Sequence, residues 1–377
     1  MPWKEATPMS LRLEFVQLAS ADGANIRELC RRFHITPRTG YKWLRRFEQG
    51  GECALEDKSR RPRGSPRRTD AKAEAAILAV RDTHPAWGAR KILCCLRRES
   101  GDLAPCASTI TEVLRRHGRL NPEESAKHKP CHRFEKDAPN EMWQMDFKGH
   151  FPLAQGRCHP LTILDDHSRF LLELCACANE RLSTVQARLV AVFRQYGLPE
   201  RMLTDNGAPW GADAVHRYTS LSAWMIRYGI AISHSRPHHP ETIGKDERLH
   251  RTLKAEAIQG HVFVDLQDCQ SHFDQWRDVY NQERPHEALG MGVPVSRYTP
   301  SPRPFPETLP AIEYDTTDIV RKVQNRGEIS YRNHEYQVGH AFLGYPVALR
   351  PSLKDGLFHV FFCQQKVAEI DLNDDNH

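Results

Sequence analysis

The sequence contains no C-x-x-C pair, no apolar run near the roughly 20 residues that span a bilayer, and no segment that resembles a signal peptide. Its eleven cysteines are scattered and odd in number, which argues against a disulfide framework and favours a reducing cytoplasm. The cluster H-K-P-C-H at 128–132 lacks the spacing of common structural zinc sites, so we expect no zinc there. No membrane partner is expected either.

Charge is unevenly distributed along the chain. The 377 residues suffice for two or more domains, and the net charge is only +5. Residues 1–70, however, carry 15 Lys and Arg against 9 Asp and Glu. Six basic residues and no acidic one lie between Lys58 and Arg68, and they include Arg61 and Arg63. Such a run is usually a solvated linker, but beside DNA-binding helices it predicts contact with phosphates.

Residues 10–50 have the pattern of short helices joined by a tight turn. Asn25 and Thr36 are each placed to cap a helix, and Pro37 occupies the first position of the second one. A generic helical hairpin has the same pattern, but a basic outward face favours a DNA-binding helix-turn-helix. The residues predicted on that face are Arg38, Thr39, Lys42 and Arg45.

The periodicity changes twice further along the chain. Helical spacing at 71–118, with many basic residues, predicts a second helical domain that also contacts DNA. From Glu141 onward, three strand patterns lead into alternating helices and strands, with helices predicted at Ala212–Tyr228 and Thr242–Ile258. This order predicts a mixed sheet with helices packed on it. Beyond about Ala311, short strand patterns suggest a small β-barrel.

One carboxylate, Asp146, lies among the strand-forming apolar residues of E-M-W-Q-M-D-F at Glu141–Phe147. Strand alternation places Gln144 and Asp146 on one face of this strand. An Asp within a strand is disfavoured, and burying it without a partner is costly. It is therefore either an edge-strand residue that faces solvent or a metal ligand, and a ligand needs carboxylate partners elsewhere.

Two further carboxylates suit that role. Asp205 ends a short strand before a tight turn, where ligand sites form in open α/β sheets. Glu247 shares its helix face with the basic residues, whereas Asp246 falls on the apolar side with Leu253, at roughly 100° per residue. Three such carboxylates can hold two divalent cations about 3.5–4 Å apart, and oxygen-only ligands favour Mg²⁺ or Mn²⁺. Spacing alone does not specify the triad, because carboxylates are common.

Four motifs supply the specificity. W-Q-M-D-F, T-D-N-G-A-P-W, H-H-P-E-T-I-G-K-D-E-R-L-H-R-T-L-K and Y-N-Q-E-R-P-H-E-A-L-G occur in that order. Together, over residues 139 to about 300, they closely resemble the bacterial insertion-sequence transposases with a retroviral-integrase-like catalytic core. The resemblance implies a ribonuclease-H-like fold and a D-D-E catalytic triad, which carries over onto Asp146, Asp205 and Glu247. Two positions depart from the family pattern: Ile243 is often Asn, and Asp246 is often apolar.

The resemblance also implies an activity. Such a transposase binds the terminal inverted repeats of an insertion sequence and catalyses Mg²⁺-dependent strand cleavage and strand transfer by in-line attack at phosphorus. Its cofactor would be two Mg²⁺ or Mn²⁺ ions, and its partner double-stranded DNA at the transposon ends and the target. Joining two ends predicts a homodimer or higher multimer on DNA, in the bacterial cytoplasm with the nucleoid. A catalytically inactive DNA-binding regulator and a nuclease on the same core remain alternatives.

Supporting residues surround the triad. Asn206, His239 and Lys245 each either position DNA or the attacking group, or serve structure alone. A hairpin turn explains Asp165 and Asp166 better than a ligand role does, and Trp210 is expected to pack. The helix of Glu247 supplies further basic residues that are expected to meet DNA phosphates, a solvated face being the alternative: Arg248, Arg251 and Lys254.

We therefore predict a multidomain protein with N-terminal all-α helix-turn-helix domains and a central α/β ribonuclease-H-like core, whose mixed sheet is flanked by helices. A small C-terminal β-barrel follows. The predicted segments are, in order, the helix-turn-helix domain, a basic linker, the second helical DNA-binding domain, a second linker, the catalytic core and the barrel: 1–55, 56–70, 71–120, 121–138, 139–300 and 301–377.

Overall fold

A computed structural model describes the fold of most of the chain. The described residues are 7–58, 69–120, 135–205, 207, 209–211, 218–234 and 244–373. Several residues singled out above lie outside them, namely Arg61, Arg63, Asn206, His239 and Ile243, as does the cluster at 128–132. The chain forms two compact units, Met1–Arg68 and Thr69–His377.

The first unit has the predicted helix-turn-helix arrangement. Asn25 Oδ1 accepts a hydrogen bond from the Glu28 amide at 3.3 Å, and Thr36 Oγ1 accepts one from the Thr39 amide at 3.3 Å. These side chains satisfy amides at the helix starts that would otherwise have no partner, which is why the capping pattern was visible in the sequence. The helices are α1 (Pro8–Ala19), α2 (Ile26–Arg32) and α3 (Pro37–Gly50).

Gly40 lies where α3 packs closely against Cys30 and Phe15. A Cβ at this position would lie 2.6 Å from Cys30 Sγ and 2.8 Å from Phe15 Cζ. We therefore expect Gly40→Ala to destabilise this unit by about 1–3 kcal/mol through overpacking. Hydrogen–deuterium exchange of the α3 amides would measure the loss as faster exchange. Glu48→Ala, an exposed change on the same helix, is the control, and equal protection in both variants would contradict the prediction.

The second unit begins with another helical group. Its core is formed by Ile77, Trp87, Ile92 and Ile110, all fully or almost fully buried. Polar contacts join one of its helices to a later part of the chain: Arg98 Nη1 donates to the Glu283 carbonyl at 3.1 Å. The helices are α4 (Ala71–Thr83), α5 (Ala89–Ser100) and α6 (Ala107–Arg116).

A mixed sheet follows, as the order of the sequence patterns predicted. Its hydrogen-bonded order is β2-β3-β1-β5-β6, and β4 pairs with β3. The pairs β1–β3 and β3–β4 are antiparallel, whereas β1–β5 and β5–β6 are parallel. The strands are β1 (Trp143–Phe147), β2 (Phe151–Pro152), β3 (Arg157–Asp165), β4 (Leu171–Cys177), β5 (Arg201–Thr204) and β6 (Ala231–His234).

Helices cover both faces of this sheet. Leu172 of β4 packs into a cluster with Leu189, and its neighbour Leu171 packs into a second cluster with Leu253, so successive residues serve opposite faces. The helices are α7 (Leu182–Tyr196), α8 (Ser220–Arg227), α9 (Gly244–Leu253) and α10 (Leu266–Gln282).

Two helices differ from their predictions in the residues or the helix type that the structure describes. The helix predicted at Ala212–Tyr228 is described only as α8, because residues 212–217 lie outside the described part. The helix predicted at Thr242–Ile258 is α-helical only to Leu253 and continues as a π-helical turn over Lys254–Ile258. The Gln259 amide bonds to the Lys254 carbonyl, five residues back, which is the wider spacing of a π-helix.

The C-terminal strands form a small β-domain. A four-stranded antiparallel sheet has the order β12-β11-β10-β7, and β8 pairs with β9 in a separate hairpin. Among the described residues these pairings follow an open path, so the predicted strands are present but the predicted barrel closure is not shown. The strands are β7 (Ile319–Lys322), β8 (Glu328–Tyr331), β9 (His334–Gln337), β10 (Pro346–Pro351), β11 (Leu357–Phe362) and β12 (Gln365–Asp371).

This β-domain shares a hydrophobic core with the mixed sheet. The cluster that contains Trp143 and Val185 continues into Phe342, Val360 and Ile370. The ring centroids of Tyr218 and Phe342 are 5.4 Å apart. The β-domain is therefore packed against the mixed-sheet domain and is not tethered to it by a linker alone.

The cysteines and the helices of the described residues bear on two expectations from the sequence, one about disulfides and one about membrane spans. The cysteines in this part of the chain are free thiols, in line with the expected lack of a disulfide framework. None of the described helices is both long and apolar enough to cross a membrane.

The motif Y-N-Q-E-R-P-H has a structural use at the end of α10. Arg284 Nε lies 3.1 Å from both carboxylate oxygens of Glu256, and both side chains are less than one-tenth exposed. Trp276 Nε1 donates to the same carboxylate at 3.3 Å. Asn281 bonds both the amide and the carbonyl of Leu171 through its side chain. The motif thus fastens the π-helical turn and β4 to α10.

Breaking this buried pair should be costly. We expect Arg284→Met to destabilise the second unit by about 3–5 kcal/mol, because it leaves the Glu256 carboxylate buried without its cation. Adding Glu256→Gln should recover part of the loss. Chemical denaturation would measure both, with Arg194→Met as the control, since its pair with Glu307 is mostly exposed and its loss should leave stability unchanged. Equal stability of the Arg284 and Arg194 variants would contradict this assignment.

Candidate active site

Asp146 and Asp205 come together where two parallel strands end. In the register of β1 and β5, Trp143 lies opposite Met202 and Gln144 opposite Leu203. Continued by two residues, this register places Asp146 beside Asp205. The carboxyl ends of parallel strands form the edge of a sheet where ligands usually bind.

The electrostatics of this pair favour a bound cation. Burial, together with the negative charges of Asp205, Glu180 and Glu247, raises the pKa of Asp146 to about 7, against a backbone hydrogen bond that lowers it. Burial also raises the pKa of Asp205, although the Gly207 amide donates to its Oδ1 at 3.1 Å. Both shifts mean that the ionised carboxylates lack sufficient compensating positive charge. A divalent cation bound by these hard oxygen donors would supply it.

Glu247 lies on α9, which contacts β1. Leu249 and Leu253 on this helix are buried, as the helical period predicted. Among the described residues, no three His, Cys, Asp or Glu side chains are yet close enough together to hold one ion. The structure therefore brings the two aspartates together and places Glu247 close enough to raise the pKa of Asp146. The three carboxylates do not yet form a complete set of metal ligands. The exposed residues of the same face are Glu247, Arg248, Arg251 and Lys254.

His250 is a residue of this site to which sequence reasoning gave no role. Its Nε2 is 2.9 Å from Thr162 Oγ1, and its Nδ1 is 3.8 Å from Asp146 Oδ2. Burial lowers the pKa of His250 to about 4, so the ring is neutral at neutral pH. The Thr162 hydroxyl donates its proton to the Asp146 carbonyl at 3.1 Å, so Nε2 of His250 is the donor to that hydroxyl. Its i+3 spacing from Glu247 was the available signal.

Lys245 makes a contact within the protein, which is the structural alternative that the sequence left open for it. Its ammonium contacts the carboxylate of Asp166, and only 16% of its side chain is exposed. The hairpin turn assigned to Asp165 is present, because its carboxylate accepts from Ser168 and from the Asn140 amide. Asp166, by contrast, reaches out of the turn. Sequence reasoning missed this contact.

Asp246 occupies the apolar side of α9, as its helical position predicted. It is 2% exposed, and burial together with the charge of Asp146 raises its pKa well above the usual range. Trp210 is also buried and stacks on Phe147 with ring centroids 5.7 Å apart, which fits the packing role expected for it.

The predicted outward face of α3 is present in the first unit. Arg38, Lys42 and Arg45 are exposed, and Lys42 Nζ lies 4.9 Å from the Trp43 ring centroid. Thr39 is only partly exposed, because its hydroxyl bonds to the capping Thr36 hydroxyl at 3.0 Å. Tyr41, half exposed on the same helix, was not predicted as part of this face.

Comparison with protein families agrees with this arrangement. Two integrase core domain models match residues 136–240 and 228–294. A helix-turn-helix domain model matches 11–63, and a homeodomain-like domain model matches 39–114. These matches give the chain an integrase core domain that is preceded by helix-turn-helix and homeodomain-like segments. More particularly, residues 318–377 match the C-terminal domain of the IS481 family transposases, which confirms the relationship to bacterial insertion-sequence transposases.

Individual relatives are more distant. An uncharacterised protein of insertion element IS407 from Burkholderia multivorans is 26% identical over 157 residues, covering 42% of this chain and 54% of the relative. One of insertion element IS476 from Xanthomonas euvesicatoria is 29% identical over 160 residues, covering 42% and 44%. The chain spans about half the length of these relatives. A solved HTLV-2 integrase catalytic core domain in complex with magnesium has 16% identity and a TM-score of 0.34, covering 43% of this chain and 99% of that one.

Proposed function

We propose that the protein binds the terminal inverted repeats of an insertion sequence and catalyses Mg²⁺-dependent DNA cleavage and strand transfer. The observation that carries this proposal is the pair of Asp146 and Asp205 at the ends of parallel strands, with raised pKa values, in an integrase core domain. The helix-turn-helix matches at the start of the chain support recognition of DNA ends.

The donor set fits a magnesium site. Asp146, Asp205 and Glu247 offer only carboxylate oxygens, which suit Mg²⁺ or Mn²⁺, and we infer that they hold two such ions. When bound, the ions polarise the scissile phosphate and stabilise charge on the attacking and leaving oxygens. His250 supports the backbone of Asp146 from the α9 side through the Thr162 hydroxyl, and because it is neutral it adds no charge that would repel the ions.

The proposed reaction has two steps at phosphorus. In the first, a water oxygen attacks the phosphate at the element end, and the bond to the neighbouring 3′-oxygen breaks to leave a free 3′-hydroxyl. In the second, this 3′-oxygen attacks a target phosphate, and the target's own 3′-oxygen leaves. Arg248, Arg251 and Lys254 lie exposed on the face of Glu247, where they can bind the flanking phosphates. Two ends must be held at once, so the active form is a dimer or larger multimer.

A cleavage assay on native DNA ends tests the proposal. The substrates are duplexes taken from the sequences that flank the gene, with unrelated duplexes of equal length as controls. Purified protein with Mg²⁺ should nick the flanking duplex to give a 3′-hydroxyl and then join that end to a second duplex, and EDTA should abolish both products. Binding without any cleavage would instead indicate a regulator. Cleavage of RNA–DNA hybrids without joining would indicate a nuclease.

A further inference from the structure

We propose that Asp166 is a positioning residue, which fixes the distance between β1 and α9 and therefore between Asp146 and Glu247 before a metal binds. This inference rests on the proposed function, because the distance between Asp146 and Glu247 matters only if both carboxylates bind the metal ions. It assigns a role to a residue that its sequence context explained as part of a turn.

The contacts of the Asp166 carboxylate carry the inference. Gln144 Nε2 donates to its Oδ1 at 2.6 Å, and the Lys245 ammonium contacts the same oxygen. Gln144 precedes Asp146 by two residues on the same face of β1, and Lys245 precedes Glu247 by two residues on α9. The Asp166 carboxylate is thus bonded to β1 and to α9, the two elements that carry Asp146 and Glu247. On each element the bonded residue lies two positions before the candidate ligand.

Asp166 is itself held firmly. The Lys136 amide donates to its other oxygen at 2.9 Å, and Arg169 donates to its backbone carbonyl. Its side chain is 2% exposed, and Gln144 is 1% exposed. A buried charge of this kind is stable only while its partners stay in place, so displacement of α9 from β1 would leave it unpaired. The carboxylate already has three donors, which leaves little capacity for a metal.

The position on α9 is also informative. Lys245 is the second residue of the helix, so the contact restrains the first helical turn, where Glu247 lies. In the described part of the chain, the neighbouring Asp165 bonds instead to Ser168 within the turn and to the Asn140 amide ahead of β1, and no contact with α9 is seen. The two adjacent aspartates therefore differ in use: one shapes the turn, and the other ties the turn to β1 and α9.

The test measures metal binding and not activity alone. Asp166→Asn and Lys245→Met should each weaken Mn²⁺ binding by about 10-fold in titration calorimetry of the full chain, the usual effect of losing support behind a ligand. The Mg²⁺ concentration that gives half-maximal cleavage of flanking DNA should rise by the same factor, while DNA binding is retained. Lys245→Arg keeps the cation and should restore binding to near the original affinity.

A matched control separates positioning from general stability. Asp318→Asn breaks a bidentate pair with Arg350, at 2.9 and 2.8 Å, in the C-terminal sheet. It should lower stability without changing Mn²⁺ affinity. The double variant of Asp166 and Lys245 should bind Mn²⁺ about as weakly as either single variant, because both changes remove one contact. If Asp166→Asn does not fold, Lys245→Met, whose side chain is partly exposed, carries the same test.

The outcomes distinguish this inference from the proposed function. If the unmodified protein cleaves with Mg²⁺ but Asp166→Asn and Lys245→Met bind Mn²⁺ normally, only the positioning role is wrong. Faster hydrogen exchange in the first turn of α9, together with weaker Mn²⁺ binding, supports it. If the unmodified protein shows no metal-dependent cleavage of its flanking DNA, the proposed function fails, and the positioning role fails with it.

Discussion

Glu247→Gln is expected to reduce Mg²⁺-dependent cleavage at least about 1000-fold, equivalent to about 4 kcal/mol of transition-state stabilisation. The amide keeps the shape of the side chain but is a poor ligand for a hard cation. Asp146→Asn and Asp205→Asn should have the same effect. Binding to DNA ends should be unchanged in all three variants, because it is assigned to the helix-turn-helix region. Cleavage and gel-shift assays on one duplex would measure both quantities.

Glu180 provides the sharpest control for this prediction. Its charge acts on Asp146 ahead of that of Glu247, so electrostatics alone would make it a rival third ligand. However, Glu180 already pairs with His159 Nδ1 at 2.8 Å, and it lies outside the four motifs. We therefore expect Glu180→Gln to retain activity within a few-fold. If the Glu180 variant lost cleavage and the Glu247 variant kept full activity, Glu180 and not Glu247 would be the third metal ligand.

The second large effect concerns the exposed face of α3. Arg38→Ala and Arg45→Ala should each weaken binding to the element end by about 10- to 100-fold if the side chain contacts a base, at roughly 1–3 kcal/mol per contact. A residue that meets only phosphate should weaken binding to all sequences equally and lower the salt dependence by about one ion. Binding titrations at several salt concentrations, with specific and unrelated duplexes, would separate these cases.

Arg27→Ala is the matched control for these variants. Arg27 is also exposed and basic, but it lies on α2, the helix that precedes the proposed recognition helix. Its loss should change binding to specific and unrelated duplexes by the same small factor. If Arg27→Ala reduced specific binding as strongly as Arg38→Ala, then α3 would not be the helix that recognises the DNA sequence.

Local periodicity predicted much of this site. Strand alternation placed Gln144 and Asp146 on one face, and helical period separated exposed Glu247 from buried Asp246 and Leu249. Such patterns depend on neighbouring residues, so one sequence is enough to show them. Capping residues likewise marked the starts of α2 and α3 because they bond amides within the same turn.

Contacts between distant segments were not visible in the sequence. Asp166 and Lys245 are 79 residues apart, and no local pattern links them. No role could be assigned to His250 from the sequence, because it is the close approach of β3 that buries its ring against Thr162. The π-helical turn after Leu253 likewise carries a non-local contact, the buried pair of Glu256 and Arg284. In each case, the partner of the side chain is set by tertiary packing and cannot be predicted from neighbouring residues in the sequence.

The hydrophobic core that joins the β-domain to the mixed sheet has a genetic consequence. Ile370, only 2% exposed, lies in the last described strand, and the same cluster includes Trp143 beside the candidate site. A nonsense or frameshift mutation even within the last few codons before Ile370 would thus uncover apolar surface continuous with the catalytic domain. Copies of the gene truncated there should yield aggregating or rapidly degraded products instead of shortened active enzymes.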